Sequence, residues 1–115
     1  MLFRFPKNDS NFVWTDHSKS KMLQYRLSEQ KIKTILKNPE RIETGVAPKT
    51  AAVMKRNDTP KRKEEMWVMY QKTKKEKLKA QRIKIISVWR YPGISPKQSI
   101  PIPDEILKEL ETEQL

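Results

Sequence analysis

The sequence predicts an α+β domain, with a short strand and two N-terminal helices packed on one face of a three- to five-stranded antiparallel sheet. Three observations predict it. Residues 17–37 form two helical segments with capping residues ahead of them, the apolar period changes from helical to alternating after Pro39, and the alternation persists to Tyr91. Length agrees, since 115 residues with 36% hydrophobic and 34% charged side chains allow one small domain with a thin core.

Residues 1–11 read as an N-terminal tail. Phe12–Thr15 is aromatic and β-branched, which suits a short opening strand. Thr15 or Asp16 caps a helix that starts near His17 and runs to about Tyr25, because a short side-chain oxygen satisfies the free N–H groups of a first turn. Ser28 is a second N-cap, with Glu29 in the first turn, where the helix dipole favours an anion. Ile32, Ile35 and Leu36 follow at i, i+3 and i+4. Asn38-Pro39 ends that helix, since the residue before a proline is pushed out of helical geometry.

Arg41–Val46 is then a strand ending near Gly45, and Ala51–Arg56 a second one. After the turn cluster Asn57-Asp58-Thr59-Pro60 comes a third, Glu64–Thr73. Arg82–Tyr91 is the fourth, expected to be central, and Lys74–Gln81 between them reads as a charged hairpin loop. Pro92–Pro103 holds four prolines in twelve residues, an extended connector. Asp104–Glu111 is a short acidic helix whose stripe is Ile106, Leu107 and Leu110. The chain thus divides into a tail (1–11), an α+β domain (12–91) and a connector with its helix (92–115).

Composition excludes several classes. The apolar runs are far shorter than the roughly 20 residues a spanning helix needs, and residues 1–16 lack the continuous apolar stretch of a secretory signal, so a cytoplasmic location is expected. Zero Cys excludes disulfides and thiolate metal sites, and one His argues against a histidine-rich metal site. Two Gly leave no phosphate-cradling loop. No metal or cofactor is expected.

The formal charge of +11 is uneven. From Asp104 onward five acids face one base, a local −4, so residues 1–102 carry +15. Bases concentrate in Lys55–Lys63 and Lys72–Lys84, a balance that attracts polyanions. Arg56, Lys61, Arg62, Lys63, Lys74, Lys75, Arg82 and Lys84 are the expected nucleic-acid contacts. RNA is the expected partner, with DNA left open and no membrane contact. Strand parity on Arg82–Tyr91 puts Ile83, Ile85, Ser87, Trp89 and Tyr91 on one face, expected to meet the helices, and leaves Arg82, Lys84 and Arg90 on an open one. Met66 and Trp89 are expected core, whereas Trp67 reads equally as core or as a base-stacking ring.

His17-x4-Met22-x3-Arg26-Leu27-Ser28, the helix after it, Asn38-Pro39-Glu40 and the following strands resemble a short prokaryotic family of uncharacterised proteins. In order of elements that family resembles the RelE/ParE-type toxin fold, and the match covers roughly residues 12–91. Arg26 runs straight into Leu27-Ser28 where the family usually has a Gly, which implies a tighter turn between the helices. The basic segments Lys55–Lys63 and Lys72–Gln81 are also longer than the family's hairpins. In RelE-type ribonucleases the resemblance implies metal-independent cleavage by basic residues, often with a tyrosine, on an open sheet face. ParE-type toxins act on a protein target instead, and other members bind without cutting.

The resemblance thus implies an RNA-binding, toxin-like protein, with metal-independent endoribonuclease activity as one reading. A non-catalytic nucleic-acid-binding module is another, and a toxin or regulator working through an antitoxin-like or other protein partner is a third. For cleavage the candidates are His17 as acid or base, Arg26 and Arg90 as phosphate clamps, and Tyr91 as a stacking ring or weak acid. Each also has a structural reading: His17 orienting the start of its helix, Arg26 pairing with Glu29 or Glu40, and Tyr91 packing in the core. The C-terminal helix is expected to pack on its own or a sister domain, or else to block the basic face.

Overall fold

Five strands and three helices follow one another in the computed structural model, which describes residues 3–74 and 81–112. In chain order they are β1 (Phe12–Trp14), α1 (Asp16–Tyr25), α2 (Glu29–Lys37), β2 (Arg41–Thr44), β3 (Thr50–Arg56), β4 (Glu64–Lys74), β5 (Gln81–Pro92) and α3 (Asp104–Thr112). The expected loop Lys74–Gln81 lies outside the described residues, apart from its two ends.

The sheet order is β1-β5-β4-β3-β2, and the sheet is mixed rather than antiparallel. Strands β2 to β5 form an antiparallel meander, but β1 runs parallel to β5, with Phe12 opposite Ile83 and Trp14 opposite Ile85. Parallel neighbours need a long connection, and here the rest of the domain supplies it. Where β1 stops, α1 takes over the edge of β5. Thr15 donates to the Ile85 carbonyl through its N–H at 3.4 Å and its hydroxyl at 2.9 Å.

Both expected helix caps form. Thr15 Oγ1 accepts from the Ser18 N–H at 3.0 Å, and Ser28 Oγ from the Lys31 N–H at 3.1 Å. At the turn between the helices Arg26 itself adopts the left-handed conformation, with φ 56°. A side chain there costs about 1–2 kcal/mol relative to glycine, and Arg26 forms no ion pair among the described residues. Glu29 pairs with Lys33, and Glu40 accepts from the Arg56 N–H. Arg26→Gly is therefore expected to stabilise the domain by about 1 kcal/mol in urea titration.

The sheet is buried on both faces, which corrects the expectation of one open face. On the first, Met22 and Leu27 from the α1 region and Ile32 and Ile35 from α2 pack against Trp14, Val53, Met66, Val68, Ile85 and Val88. On the second, Ala52, Met54, Trp67, Met69, Ile86 and Trp89 are covered by Ile106 and Leu110 of α3, with Ile100 and Ile102 of the connector packed alongside. The C-terminal helix thus packs on its own chain. Met66–Met69 is a continuous apolar run, the pattern of a strand that buries both sides.

A β-bulge overturns the expected parity of β5. The register passes from Met69 opposite Ser87 to Tyr70 opposite Ile85, leaving Ile86 as the extra residue. Ile83 and Ile85 meet the helices as expected. Beyond the bulge the faces exchange, so Val88 joins the helix-side cluster, while Trp89 and Tyr91 join the second one.

Candidate nucleic-acid interface

At one end of the sheet β2, β3, the 57–63 turn, β4 and the end of β5 bring together four acids, Glu43, Asp58, Glu64 and Glu65, and a larger number of bases. Three arginines there take up acidic partners. Arg56 clamps Asp58 with Nε at 3.1 Å and Nη2 at 2.6 Å, and reaches Glu65 with Nη1 at 3.1 Å. Arg90 Nη1 lies 2.8 Å from Glu64 Oε2. Arg41 Nη2 lies 2.8 Å from Glu43, and its Nη1 3.6 Å from Glu65. Asp58 is held below the usual carboxylate range, first by the hydrogen bond from Arg56 and then by the Glu64 N–H.

Lys55 donates to the Asn38 carbonyl at 3.2 Å, and the cations of the turn itself are left to solvent. Lys61, Arg62 and Lys63 are exposed on the turn and form no ion pair among the described residues. A Thr59–Arg62 bridge shapes the turn, and the Lys63 carbonyl accepts from the Gly93 N–H at 2.8 Å. Arg26, exposed at the end of α1, adjoins this region through Arg90, whose Nη2 donates to the Arg26 carbonyl at 3.2 Å. The turn therefore presents a cluster of exposed cations beside acids already paired with arginines, and the charge of Lys63 also helps to lower Asp58.

The other expected nucleic-acid contacts are dispersed. Arg56 is tied up as described. Arg82 donates twice to the Asp9 carbonyl, at 3.0 and 2.7 Å, at the opposite end of the sheet. Lys84 is half-buried on β5. Lys74 ends β4 with its side chain outside the description, and Lys75 lies outside the described residues.

The four residues singled out for catalysis take up different surroundings. Arg90 follows Val88 onto the helix side, where Nε donates to the Tyr25 carbonyl at 2.7 Å. With its contact to Arg26 it satisfies the last carbonyls of α1, at the end where the dipole favours a cation. It is not on an open face, and the bulge at Ile86 is the reason. Tyr91 packs beside the second core cluster. Arg26 is exposed, and His17 is buried.

His17 Nε2 is hydrogen-bonded to Ser87 Oγ at 2.8 Å, and Nδ1 lies 3.1 Å from Glu109 Oε2 of α3. Buried Lys21 reaches the same carboxylate at 2.9 Å. Serine, imidazole and carboxylate stand in the order of a catalytic relay, yet Ser87 is 0% exposed and the acid belongs to the helix that covers it. Opening α3 removes the acid, and closing it removes access. The group is a clasp for α3.

A second clasp lies alongside, where Gln24 and the Tyr25 hydroxyl donate to Glu105 at 2.7 and 3.1 Å. Burial pushes the Tyr25 phenol up to about 12, helped by that hydrogen bond and the charges of Glu105 and Glu109. Because the folded value exceeds the ordinary 10, this contribution to stability is complete below pH 10 and lost as pH rises toward 12. Spectrophotometric titration is expected to show one tyrosine ionising near pH 12, moving back toward 10 in Glu105→Gln.

Sequence reasoning missed Glu65, which is 0% exposed. Its carboxylate accepts from Trp67 Nε1 at 2.9 Å, from Ser95 Oγ at 2.6 Å and from the Ser95 N–H at 2.9 Å, besides its contacts to Arg56 and Arg41. A Glu two residues before a Trp on an alternating strand was the available signal, since it places the carboxylate on the tryptophan's face. Among the described residues no cluster of His, Asp and Glu has the make-up of a metal site, and no helix is long and apolar enough to cross a membrane. Compared with protein-family models, curated proteins and solved structures, the chain has no match.

Proposed function

We propose that the protein binds RNA through the 57–63 turn and acts as a binding module. The observation that supports this reading is the division of labour at that end of the sheet. Arginines pair with the local acids, and Lys61, Arg62 and Lys63 stay exposed and form no ion pair among the described residues. Exposed cations of this kind bind phosphates by releasing counterions, so affinity falls with salt. Changing all three to Ala is expected to make the logarithmic salt dependence of single-strand binding shallower by about 2, at roughly 0.7 per phosphate contact. An unchanged slope would remove the turn from the interface.

The endoribonuclease reading draws on the RelE/ParE-type resemblance, for which the order strand, helix, helix, antiparallel meander speaks. It asks His17 and Arg90 to serve a phosphate, whereas both are engaged by their own chain. Incubation of the protein with RNA in EDTA separates the two readings. Salt-sensitive binding without cleavage is expected, and cleavage lost in His17→Ala or Arg90→Ala would replace the module with a nuclease. If neither RNA nor DNA binds at about 100 mM salt, where several phosphate contacts still register, an antitoxin-like or other protein partner becomes the better reading.

A further inference from the structure

Beside the 57–63 turn lies a pocket of about 250 Å³ to which Arg41, Met54, Arg56, Ile94 and Lys97 contribute walls, together with the arginine-paired carboxylates Asp58 and Glu65. It is smaller than the roughly 300–1,000 Å³ of sites for drug-sized ligands, a size for one ring system. Resting on the RNA reading above, we propose that this pocket receives one unstacked base of a single-stranded RNA, while Lys61, Arg62 and Lys63 hold the flanking phosphates.

The two guanidiniums carry the argument. Arg41 spends its N–H groups on Glu43, on the Ser95 hydroxyl and carbonyl, and on the carbonyls of Pro96 and Ser99, at 2.8–3.2 Å. Arg56 spends its edge on Asp58 and Glu65. Neither keeps the free fork that grips a phosphate in two places. A guanidinium whose edge is occupied offers a ligand its flat face, and Arg41 already stacks this way on Trp67, 5.0 Å from the ring centroid. Unstacked bases are held on such planes and on apolar side chains.

Ile94 fits the same account. It is 65% exposed beside the pocket, just after Gly93 in its left-handed conformation, and packs in neither core cluster. An apolar side chain there supplies a wall for a base. Lys97 lines the pocket and forms no ion pair among the described residues, so it can meet the phosphate of the inserted nucleotide. A base still paired within a duplex cannot enter, so the pocket selects single strands.

The test compares a short single-stranded RNA carrying a fluorescent purine analogue with the matching duplex. Wild type and the charge-neutral variants Ile94→Ala and Ile94→Ser are titrated with both, since an exposed position tolerates either change. Single-strand affinity is expected to fall about tenfold in both variants, the order of losing one buried apolar side chain. Duplex affinity should stay the same, and the analogue's emission change should vanish. Wild-type binding with Ile94 variants unaltered, or with single-strand and duplex affinity falling equally, overturns the pocket and leaves the RNA reading standing. No binding of either RNA by wild type overturns both.

Discussion

Glu65→Ala is expected to destabilise the domain by about 3–5 kcal/mol in urea titration, the cost of removing one partner from a buried charge network. The carboxylate gathers Trp67, Ser95, Arg56 and Arg41 around one fully buried point. Without it the Trp67 N–H loses its acceptor, and two guanidiniums keep their positions with less negative charge near them. Glu65→Gln is expected to recover part of the loss, because an amide oxygen still accepts while its NH2 group faces the arginines. Burial alone pushes the Glu65 carboxyl up, but the hydrogen bonds from Ser95 and Trp67 and the charge of Arg41 outweigh it and hold it below the ordinary 4.5. The sign follows from that depression: the stabilisation is complete above about pH 4.5 and is lost as pH falls through the lower, folded value. A Glu65→Ala variant within about 0.5 kcal/mol of wild type, the range of an ordinary surface change, would show that the network is not structural.

Removing α3 by ending the chain after Pro103 is expected to cost about 3–6 kcal/mol, since Ile106 and Leu110 each bury an apolar side chain worth roughly 1.5–3 kcal/mol. That is a large share of the roughly 5–15 kcal/mol that holds a domain folded. The loss uncovers the cluster of Trp67, Ile86 and Trp89, and it releases both polar clasps on α1. Ile106→Ala separates core packing from deletion and is expected to cost about 2–5 kcal/mol by cavity formation. Thermal melts and binding of an apolar dye read both changes. A truncated chain that melts cooperatively at the wild-type temperature would return α3 to the role of a removable block. Its present contacts are those of a core element with an acidic outer face.

Much of the fold was legible because local rules and tertiary packing agree. The Thr15 and Ser28 caps, the stop at Asn38-Pro39 and the four meander strands lie where short-range chemistry puts them. What escaped was non-local. The parallel pairing of β1 with β5 is a contact across about seventy residues, which no periodicity encodes. The bulge at Ile86 has a local trace in the adjacent Ile85 and Ile86, but alternation read through them puts Arg90 on the wrong side. The second buried face left one trace, the continuous apolar run Met66–Met69, but a run of four residues does not say which element covers either side. At the candidate interface, sequence located the basic turn. It could not tell which cations are spent on Glu64, Glu65 and Asp58, since pairing depends on which strands meet.

The position of β5 also sets an order of assembly. Strand β1 hydrogen-bonds to it, α1 is pinned to it through Thr15 and Arg90, and α3 reaches the sheet only from a connector that begins at its end. The first strand therefore has no partner until the last one is in place, and the most distant contacts in the chain close together. Loop-closure entropy must be overcome before any of them is rewarded, which slows folding relative to a locally connected domain of the same size. During synthesis α1 emerges well before β5, the strand that anchors it, whereas α2 packs on β3 and β4, which follow it sooner. The apolar residues at α1, Met22 and Leu27, therefore stay unsheltered until β5 has emerged.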